Sequence, residues 1–553
     1  TNTLLGNSTL SYAILSNLNI SANLGYSNID INEESIEPNT QYNPAWGLTS
    51  DFSYLLTNSG NRHSWIVEPQ INWDFNLGKG KINMLVGSSF QEQFSDKISF
   101  LGFGFSNNSL IHNLSAASNI YIANESKNQY RYQSLYGRVN YSLKDKYIVN
   151  LTGRRDGSSR FGPGKKYANF GAIGIAYLFS REEGFNKIFP FISFGKLRAS
   201  YGTTGNDQIG DYQYLDTYTI SGSIYNGTVG LVPSRLLNPD FAWEINRKLE
   251  TSLELGLWNN CINLTTTYYQ NRSSNQLVGI PLPGTTGFQS IQANLDATVL
   301  NSGWEFDFNS RNINGKYLKW TTSLNLTLPK NKLEKFPGLE GSTYANTYVI
   351  GKPLTIKKLY HFTGVNPDTG LFEFEDYNGD GIISAPEDMQ YTEDLSPTLF
   401  GGISNTINYK NWKFVVFFQF TKHNLFNNFY SGTPAGMMVN QPAVISARWR
   451  NPGDIAPYQR VTSGNDGLAV DAFYKFKDSN GAISDASYIR LKNISIAYTF
   501  PETIFGNTGC TLYLEGQNLL TFTKFKSGDP EQVTASTYLP QLRRMSFRVQ
   551  FNF

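Results

Sequence analysis

The chain has 553 residues and a net charge of +2, a near-balance that excludes general electrostatic attraction to nucleic acid or acidic substrates. Mean hydropathy is −0.35 and no run approaches ~18 apolar residues, which excludes a transmembrane helix. Aromatic residues nevertheless reach 14%, with 33 Tyr and 38 Phe. That richness argues against disorder and suits strands with aromatic girdles and one polar face.

About 17 strand candidates follow one another, most long enough to cross a bilayer at ~9–11 residues each. Residues 4–15 and 18–29 join at Ser16-Asn17, and 62–77 and 81–94 at Gly78-Lys79-Gly80. Residues 130–143 and 146–155 join at Lys144-Asp145; 167–179 and 191–203 form the next pair. Residues 243–258 and 262–276 turn at Asn259-Asn260-Cys261, and here Leu249, Thr251, Leu253, Leu255 and Leu257 oppose Glu250, Ser252 and Glu254. Residues 293–309 and 317–328 turn near Asn314-Gly315. Leu318, Trp320, Thr322, Leu324, Leu326 and Leu328 oppose Lys319, Thr321, Ser323, Asn325 and Thr327. Residues 399–409 and 412–421 meet at Lys410-Asn411; 489–500, 511–523 and 543–553 finish the series. The parity of 489–500 slips at Lys492-Asn493, which predicts a bulge. In the last strand Met545, Phe547, Val549, Phe551 and Phe553 alternate strictly with Ser546, Arg548, Gln550 and Asn552. Such alternation gives a strand with one apolar and one polar face.

The connections sort by length. Mostly short links, such as Lys144-Asp145 and Lys410-Asn411, alternate with mostly long ones: 30–61, 95–129, 204–242, 277–292, 329–398, 427–487 and 524–542. Short turns on one rim and long loops on the other mark a bacterial outer-membrane barrel, whereas a sandwich or propeller has no reason to sort its loops so. The expected fold class is all-β: a transmembrane antiparallel β-barrel with long extracellular loops. The closing strand runs toward the periplasm, so the first of 17 does too. An even-stranded barrel then needs more strands ahead of residue 1. The expectation is therefore that 1–553 is the C-terminal part of one barrel, or one chain of a barrel made from several. The start at Thr1 has no signal-peptide pattern. Two cysteines, Cys261 and Cys510, are too few for a disulfide framework and read as small apolar residues near strand ends.

A series of local motifs carries a family resemblance. Asp156-Gly157-Ser158-Ser159-Arg160-Phe161-Gly162-Pro163 comes first, then Lys196-Leu197-Arg198-Ala199-Ser200-Tyr201-Gly202. Thr204-Gly205-Asn206-Asp207-Gln208-Ile209-Gly210-Asp211-Tyr212 follows, then Asn238-Pro239-Asp240 with Trp243-Glu244. Residues 376–388, Ser487-Tyr488-Ile489-Arg490-Leu491-Lys492-Asn493-Ile494, Gly516-Gln517-Asn518-Leu519 and Asp529-Pro530-Glu531 complete the set. In this order they resemble SusC/RagA-type TonB-dependent outer-membrane transporters over nearly the whole chain. The resemblance implies a barrel of about 22 strands, of which about the last 17 are present here. It also implies an N-terminal plug, a TonB-binding segment and a SusD-like lipoprotein lid. The implied role is import of large glycans or peptides across the outer membrane of a Gram-negative bacterium. The plug and the first strands lie outside 1–553. An alternative role is a non-transporting scaffold subunit of a larger outer-membrane assembly, since fold does not fix function.

The sharpest chemical motif is Asp376-Tyr377-Asn378-Gly379-Asp380-Gly381-Ile382-Ile383-Ser384-Ala385-Pro386-Glu387. It matches a calcium loop, with oxygens from Asp376, Asn378, Asp380, the Ile382 carbonyl, Ser384 and bidentate Glu387, and Gly381 at the sharp turn. Its job would be to stiffen the 329–398 loop. A Gly/Asn/Asp turn on a loop tip, with no metal, fits the same residues. Arg154, Arg155 and Arg160 would meet an anionic ligand or pair with local carboxylates such as Asp156. Trp46, Tyr225, Phe429, Tyr430 and Trp449 are candidates for contact with cargo or a lid protein, or for packing within their own loops. The four histidines are scattered, and hydrolase, phosphate-loop and metalloprotease motifs are missing, so no enzyme is expected.

Overall fold

The computed structural model describes residues 1–427, 429, 432–505, 508–532 and 539–552, with side chains at all of these except 221–225, 502 and 505. Among the described residues, seventeen strands belong to one antiparallel sheet. They are β1 (Asn2–Leu15), β2 (Leu18–Glu37), β3 (Tyr54–Leu77), β4 (Gly80–Phe105), β5 (Ala117–Leu143) and β6 (Tyr147–Ser158). Next come β7 (Tyr167–Tyr177), β8 (Ile192–Asn206), β9 (Glu244–Leu257), β10 (Ile262–Pro281), β11 (Ser290–Asn314) and β12 (Leu318–Lys335). The series ends with β13 (Leu399–Tyr409), β14 (Trp412–Lys422), β15 (Tyr488–Thr499), β16 (Gly509–Thr523) and β17 (Arg544–Asn552). By contact density the chain divides into two units. One holds 1–177, 200–248 and 273–296; the other holds 178–199, 249–272 and 297–553.

In the first unit the ladder is continuous from β1 to β7. One row of paired residues runs Tyr12, Ile20, Ile71, Val86, Gly137, Gly153 and Gly171. Paired residues share a face, so everything in register with that row lies on one side of the sheet. That side carries Val67, Ile71 and Trp73 on β3, Met84 and Val86 on β4, Val139 on β5, Leu151 on β6 and Ile173 on β7. Ile71, Trp73, Val86, Leu151 and Ile173 are all exposed. The turn after Leu143 places Lys144 and Asp145 at positive φ, and the Lys146 amide closes it on the Leu143 carbonyl at 3.0 Å.

The second unit repeats the pattern. Phe308 faces Leu324, Leu324 faces Ile403, Ile403 faces Phe418, Phe418 faces Leu491 and Leu491 faces Leu520. The neighbouring row on the opposite face runs Asp307, Asn325, Gly402, Gln419, Arg490 and Thr521. The expected bulge is present: Lys492 is skipped in the pairing of β15 with both β14 and β16. It keeps Ile489, Leu491, Ile494 and Ile496 on the apolar face despite the parity slip. On β17 Met545, Phe547, Val549 and Phe551 are exposed; Phe553 lies outside the described residues. A sheet that exposes this much contiguous apolar surface on one face, and polar rows on the other, fits hydrocarbon outside and water inside.

Several strands outrun their sequence-based limits, and the largest extensions are at four of them. β2 extends to Glu37, β3 begins at Tyr54, β4 runs to Phe105 and β5 begins at Ala117. The links expected over 30–61 and 95–129 therefore shrink to 38–53 and 106–116. Bilayer-crossing length was the wrong limit here. Pairing continues unbroken from Asp30–Asn61 to Glu37–Tyr54. The extension is anchored by Leu55, Phe105 and Ile111, which pack into a buried cluster. Within the loop 423–487, a helix over Gly467–Lys477 buries Phe473 and Phe476 against Phe372 and Ala482. Asp466 caps it by accepting the Ala469 amide.

Candidate functional site

The polar face of each unit carries its charges in bonded sets. In the second unit Lys196 and Arg198 on β8 alternate with Leu197, so both point to the face opposite it. Lys196 Nζ lies 3.1 Å from Glu254 Oε1, Arg198 Nε 3.0 Å from the same oxygen, and Arg198 Nη1 2.5 Å from Glu250. Ser252 between the two glutamates accepts a 3.0 Å bond from Thr267, with both hydroxyls buried. The side predicted polar on β9 is therefore a crosslinked strip with its charges balanced.

In the first unit Arg154 donates to Asp156 at 2.8 Å and to the Tyr132 hydroxyl at 2.7 Å. Arg160 donates to Asp211 at 2.9 Å and stacks 4.2 Å from the Tyr130 ring, whose hydroxyl bonds Asp207 at 2.8 Å. Beside them Phe161, Phe170, Phe241 and Trp243 form a buried aromatic cluster. The Trp243 indole donates to the Lys166 carbonyl. Arg154 and Arg160 thus take the local-carboxylate option. Arg155 does not: it points to the opposite face and lies 5.2 Å from the Tyr167 ring.

The sequence did not single out the ion cluster at the base of the 524–532 segment. Arg490 is 2% exposed and bonds Asp529 at 2.5 Å, Glu531 at 2.6 Å and the Thr521 hydroxyl at 3.0 Å. Lys492, projected by the bulge, adds a 3.1 Å contact to Glu531. His423 donates to the Pro530 carbonyl at 3.0 Å. Burial would raise the Asp529 pKa, but amide bonds from Glu531 and Gln541 and the Arg490 guanidinium hold it below the usual value. The motif Asp529-Pro530-Glu531 and the strand Tyr488-Ile489-Arg490-Leu491-Lys492 are two halves of one clamp.

In the loop 376–387 Asp376 accepts the amides of Gly379 and Gly381, each at 2.8 Å, and Asp380 accepts that of Ile382 at 2.8 Å. Gly379 and Gly381 both take positive φ, as the turn requires. Glu387 bonds the Ser384 hydroxyl at 3.3 Å. The residue that closes the loop is its neighbour Asp388, 2% exposed, which accepts the amides of Tyr377 and Ser384. The Ser384 amide, more than any other group, lowers its pKa. Among the described residues no three His, Cys, Asp or Glu side chains converge closely enough to hold a metal.

The aromatic candidates are dispersed. Trp46 is exposed and stacks 6.1 Å from Tyr42. Trp449 donates to the Pro367 carbonyl at 2.8 Å and lies on the Gly370 turn, where any Cβ would strike its ring. Phe429 is half-buried. The Tyr225 side chain and Tyr430 lie outside the described residues. Both cysteines are free.

Comparison with known proteins agrees with this geometry. The family described as TonB dependent receptor-like, beta-barrel matches residues 1–519, and the chain belongs to that family. TonB-dependent receptor P26 of Formosa agariphila is 30% identical over 85% of this chain and 50% of its own length. TonB-dependent receptor P3 of the same organism is 28% identical over 94% of this chain and 53% of its own. TonB-dependent receptor SusC of Bacteroides thetaiotaomicron is 26% identical over 75% of this chain and 43% of its own. The chain thus spans about half the length of the curated relatives it matches. The solved structure of the RagAB peptide transporter superposes with a TM-score of 0.84 at 22% identity, over 100% of this chain and 62% of that one. The fold is that of a TonB-dependent receptor barrel of the SusC/RagA type.

Proposed function

We propose that the chain is the barrel wall of an energised outer-membrane importer that takes up large nutrients, glycans or peptides. It works with a plug, TonB and a SusD-like surface lipoprotein. The observation that carries this reading is the two-faced sheet in a chain of the TonB-dependent receptor family: apolar rows such as Leu324–Ile403–Phe418 on one side, hydrogen-bonded polar rows such as Asn325–Gln419–Arg490 on the other. The first needs hydrocarbon and the second a wet lumen. The match to a receptor named SusC, and to a transporter named for peptides, supports a nutrient cargo. Cells with and without the full-length protein should be fed labelled oligosaccharides and oligopeptides, with and without a protonophore. Uptake of one class that needs both the protein and the proton gradient supports the reading. Uptake indifferent to the protein for every class overturns it.

We also propose that the 376–387 loop binds one calcium ion as a structural brace, with oxygens from Asp376, Asn378, Asp380, Ile382, Ser384 and Glu387. What supports it is the order of donors along the loop and the two positive-φ glycines that fold it. The ion would tie together the segment that follows the short strand Phe372–Phe374.

A further inference from the structure

Past the length that crosses a bilayer, β2 to β5 stay paired, and register sorts their side chains onto two faces. Arg62 lies an odd number of residues from the exposed Ile71 on β3, and Lys97 an odd number from the exposed Val86 on β4. Both therefore stand on the face opposite the apolar rows. They occupy adjacent rows, Ile29–Arg62–Ser95 and Ile31–Gly60–Lys97. Nearer the long loops the same face carries the row Glu37–Tyr54–Phe103. From Tyr54 to Arg62 the strand rises ~27 Å, room for several linked sugars.

Two hollows open along this face. The lower, of 350 Å³, is lined by Ile29, Ile31, Arg62 and Lys97 among others. Gly60, without a side chain, keeps its middle open between Ile31 and Lys97. Both cations are exposed, and neither forms an ion pair among the described residues. Of the two carboxylates at the wall, Asp96 stands on the opposite face by register, and Glu33, one row up, pairs with neither cation. The upper hollow, of 740 Å³, is lined by the rings of Phe52, Tyr54 and Phe103, with Asp51 and Asn119 as its polar side. Phe52 is 60% exposed. β3 and β4 are paired on both sides through all these rows, so the face presents side chains and no free backbone edge that would hold a peptide strand. Rings for sugar faces, side-chain amides and hydroxyls for sugar hydroxyls, and two unpaired cations suit a glycan that carries anionic groups.

We infer that the polar face of the β2 to β5 extension binds an acidic glycan, one bearing uronate carboxylates or sulfate esters. An anionic group meets Arg62 and Lys97, and another sugar of the same chain lies against Phe52 and Phe103. The choice of occupant follows from charge complementarity and from the paired backbone of this face. It narrows the glycan-or-peptide cargo of the importer reading, and it rests on that reading for the direction in which the glycan then moves.

The test is isothermal titration calorimetry on the full-length protein, purified from its own membrane in mild detergent. The probes are a sulfated oligosaccharide, a uronate oligosaccharide, a neutral one of equal length, an oligoglutamate peptide and inorganic sulfate. At least one acidic oligosaccharide should bind, more weakly as salt rises. The tighter of the two tells sulfate ester from carboxylate. R62Q/K97Q should weaken that binding by about tenfold or more and leave the neutral oligosaccharide unaffected. Phe52→Ala should weaken it too, which a plain anion site would not show. If R62Q/K97Q does not fold, Arg62→Gln is read in its place. Failure of both acidic oligosaccharides to bind overturns the inference, as does equal binding of acidic and neutral ones. So does binding unchanged in R62Q/K97Q, or oligoglutamate bound as tightly. Displacement by equimolar inorganic sulfate would make this a small-ion site and also overturn it. Energised uptake of the same probes is measured separately. Binding without uptake defeats the importer reading and leaves the glycan site standing, a different outcome from charge-blind binding.

Discussion

The guanidinium of Arg490 lies 2.5 Å from the carboxylate of Asp529, and the two side chains are 3% and 5% exposed. One comes from the polar face of a wall strand, the other from the segment that follows β16. A buried pair of this kind is fixed by what surrounds it: Thr521 and Glu531 take the other guanidinium nitrogens, and two amides take the remaining lone pairs of Asp529. Arg490→Ala leaves an uncompensated buried carboxylate and should destabilise the fold by ~3–5 kcal/mol. Replacing Arg490 by Met and Asp529 by Leu together should cost less than the single change. Urea unfolding in detergent micelles checks both, and a double change that costs the sum of the singles would contradict the coupling.

Acid should loosen the same clamp. Asp529 is held below its ordinary value of 3.8, and so is Asp388 in the 376–388 loop. A depressed carboxylate contributes stability that is complete above the ordinary value and lost as pH falls through the folded one. Both segments should therefore resist protease at neutral pH and become cleavable only as pH falls below the ordinary value of 3.8. Pepsin digestion followed by mass mapping reads this, with Asp529→Asn as the comparison. That variant should be cleaved near 529 already above that value.

Chelation addresses the calcium proposal. With calcium present, cleavage within 376–387 should be slow; EGTA should speed it, and added calcium should restore protection where magnesium does not, since magnesium demands a tighter octahedral set. Asp380→Asn should weaken the calcium effect without changing cleavage in EGTA. Equal digestion with and without chelator would leave the loop as a plain turn tied by Asp388.

Much of the wall was legible because alternation is a local signal. Leu324 and Asn325 declare opposite faces from sequence alone, and the slip at Lys492-Asn493 marks the bulge that pairing then displays. Strand length was less legible. Residues 31–37 and 54–60 mix polar and apolar side chains, and only their partners across the sheet show that they remain paired. The clamp was hidden for another reason. Arg490 and Asp529 are 39 residues apart, and nothing in either segment says that the other lies against it. Asp388 was passed over because the calcium pattern ends at Glu387. The motif ranks residues by metal chemistry, whereas the fold uses the neighbouring carboxylate to tie amides.

The central claim is that one face of this sheet meets hydrocarbon and the other water. The most direct measurement is the stability of Leu324→Arg beside Asn325→Arg in the full-length protein refolded into bilayers. Leu324 lies between Phe308 and Ile403 in the apolar row; Asn325 lies between Asp307 and Gly402 in the polar one. An arginine at 324 should cost ~2–4 kcal/mol near the bilayer midplane, and one at 325 much less. Equal costs, or the larger cost at 325, would contradict the assignment of the two faces and with it the importer wall.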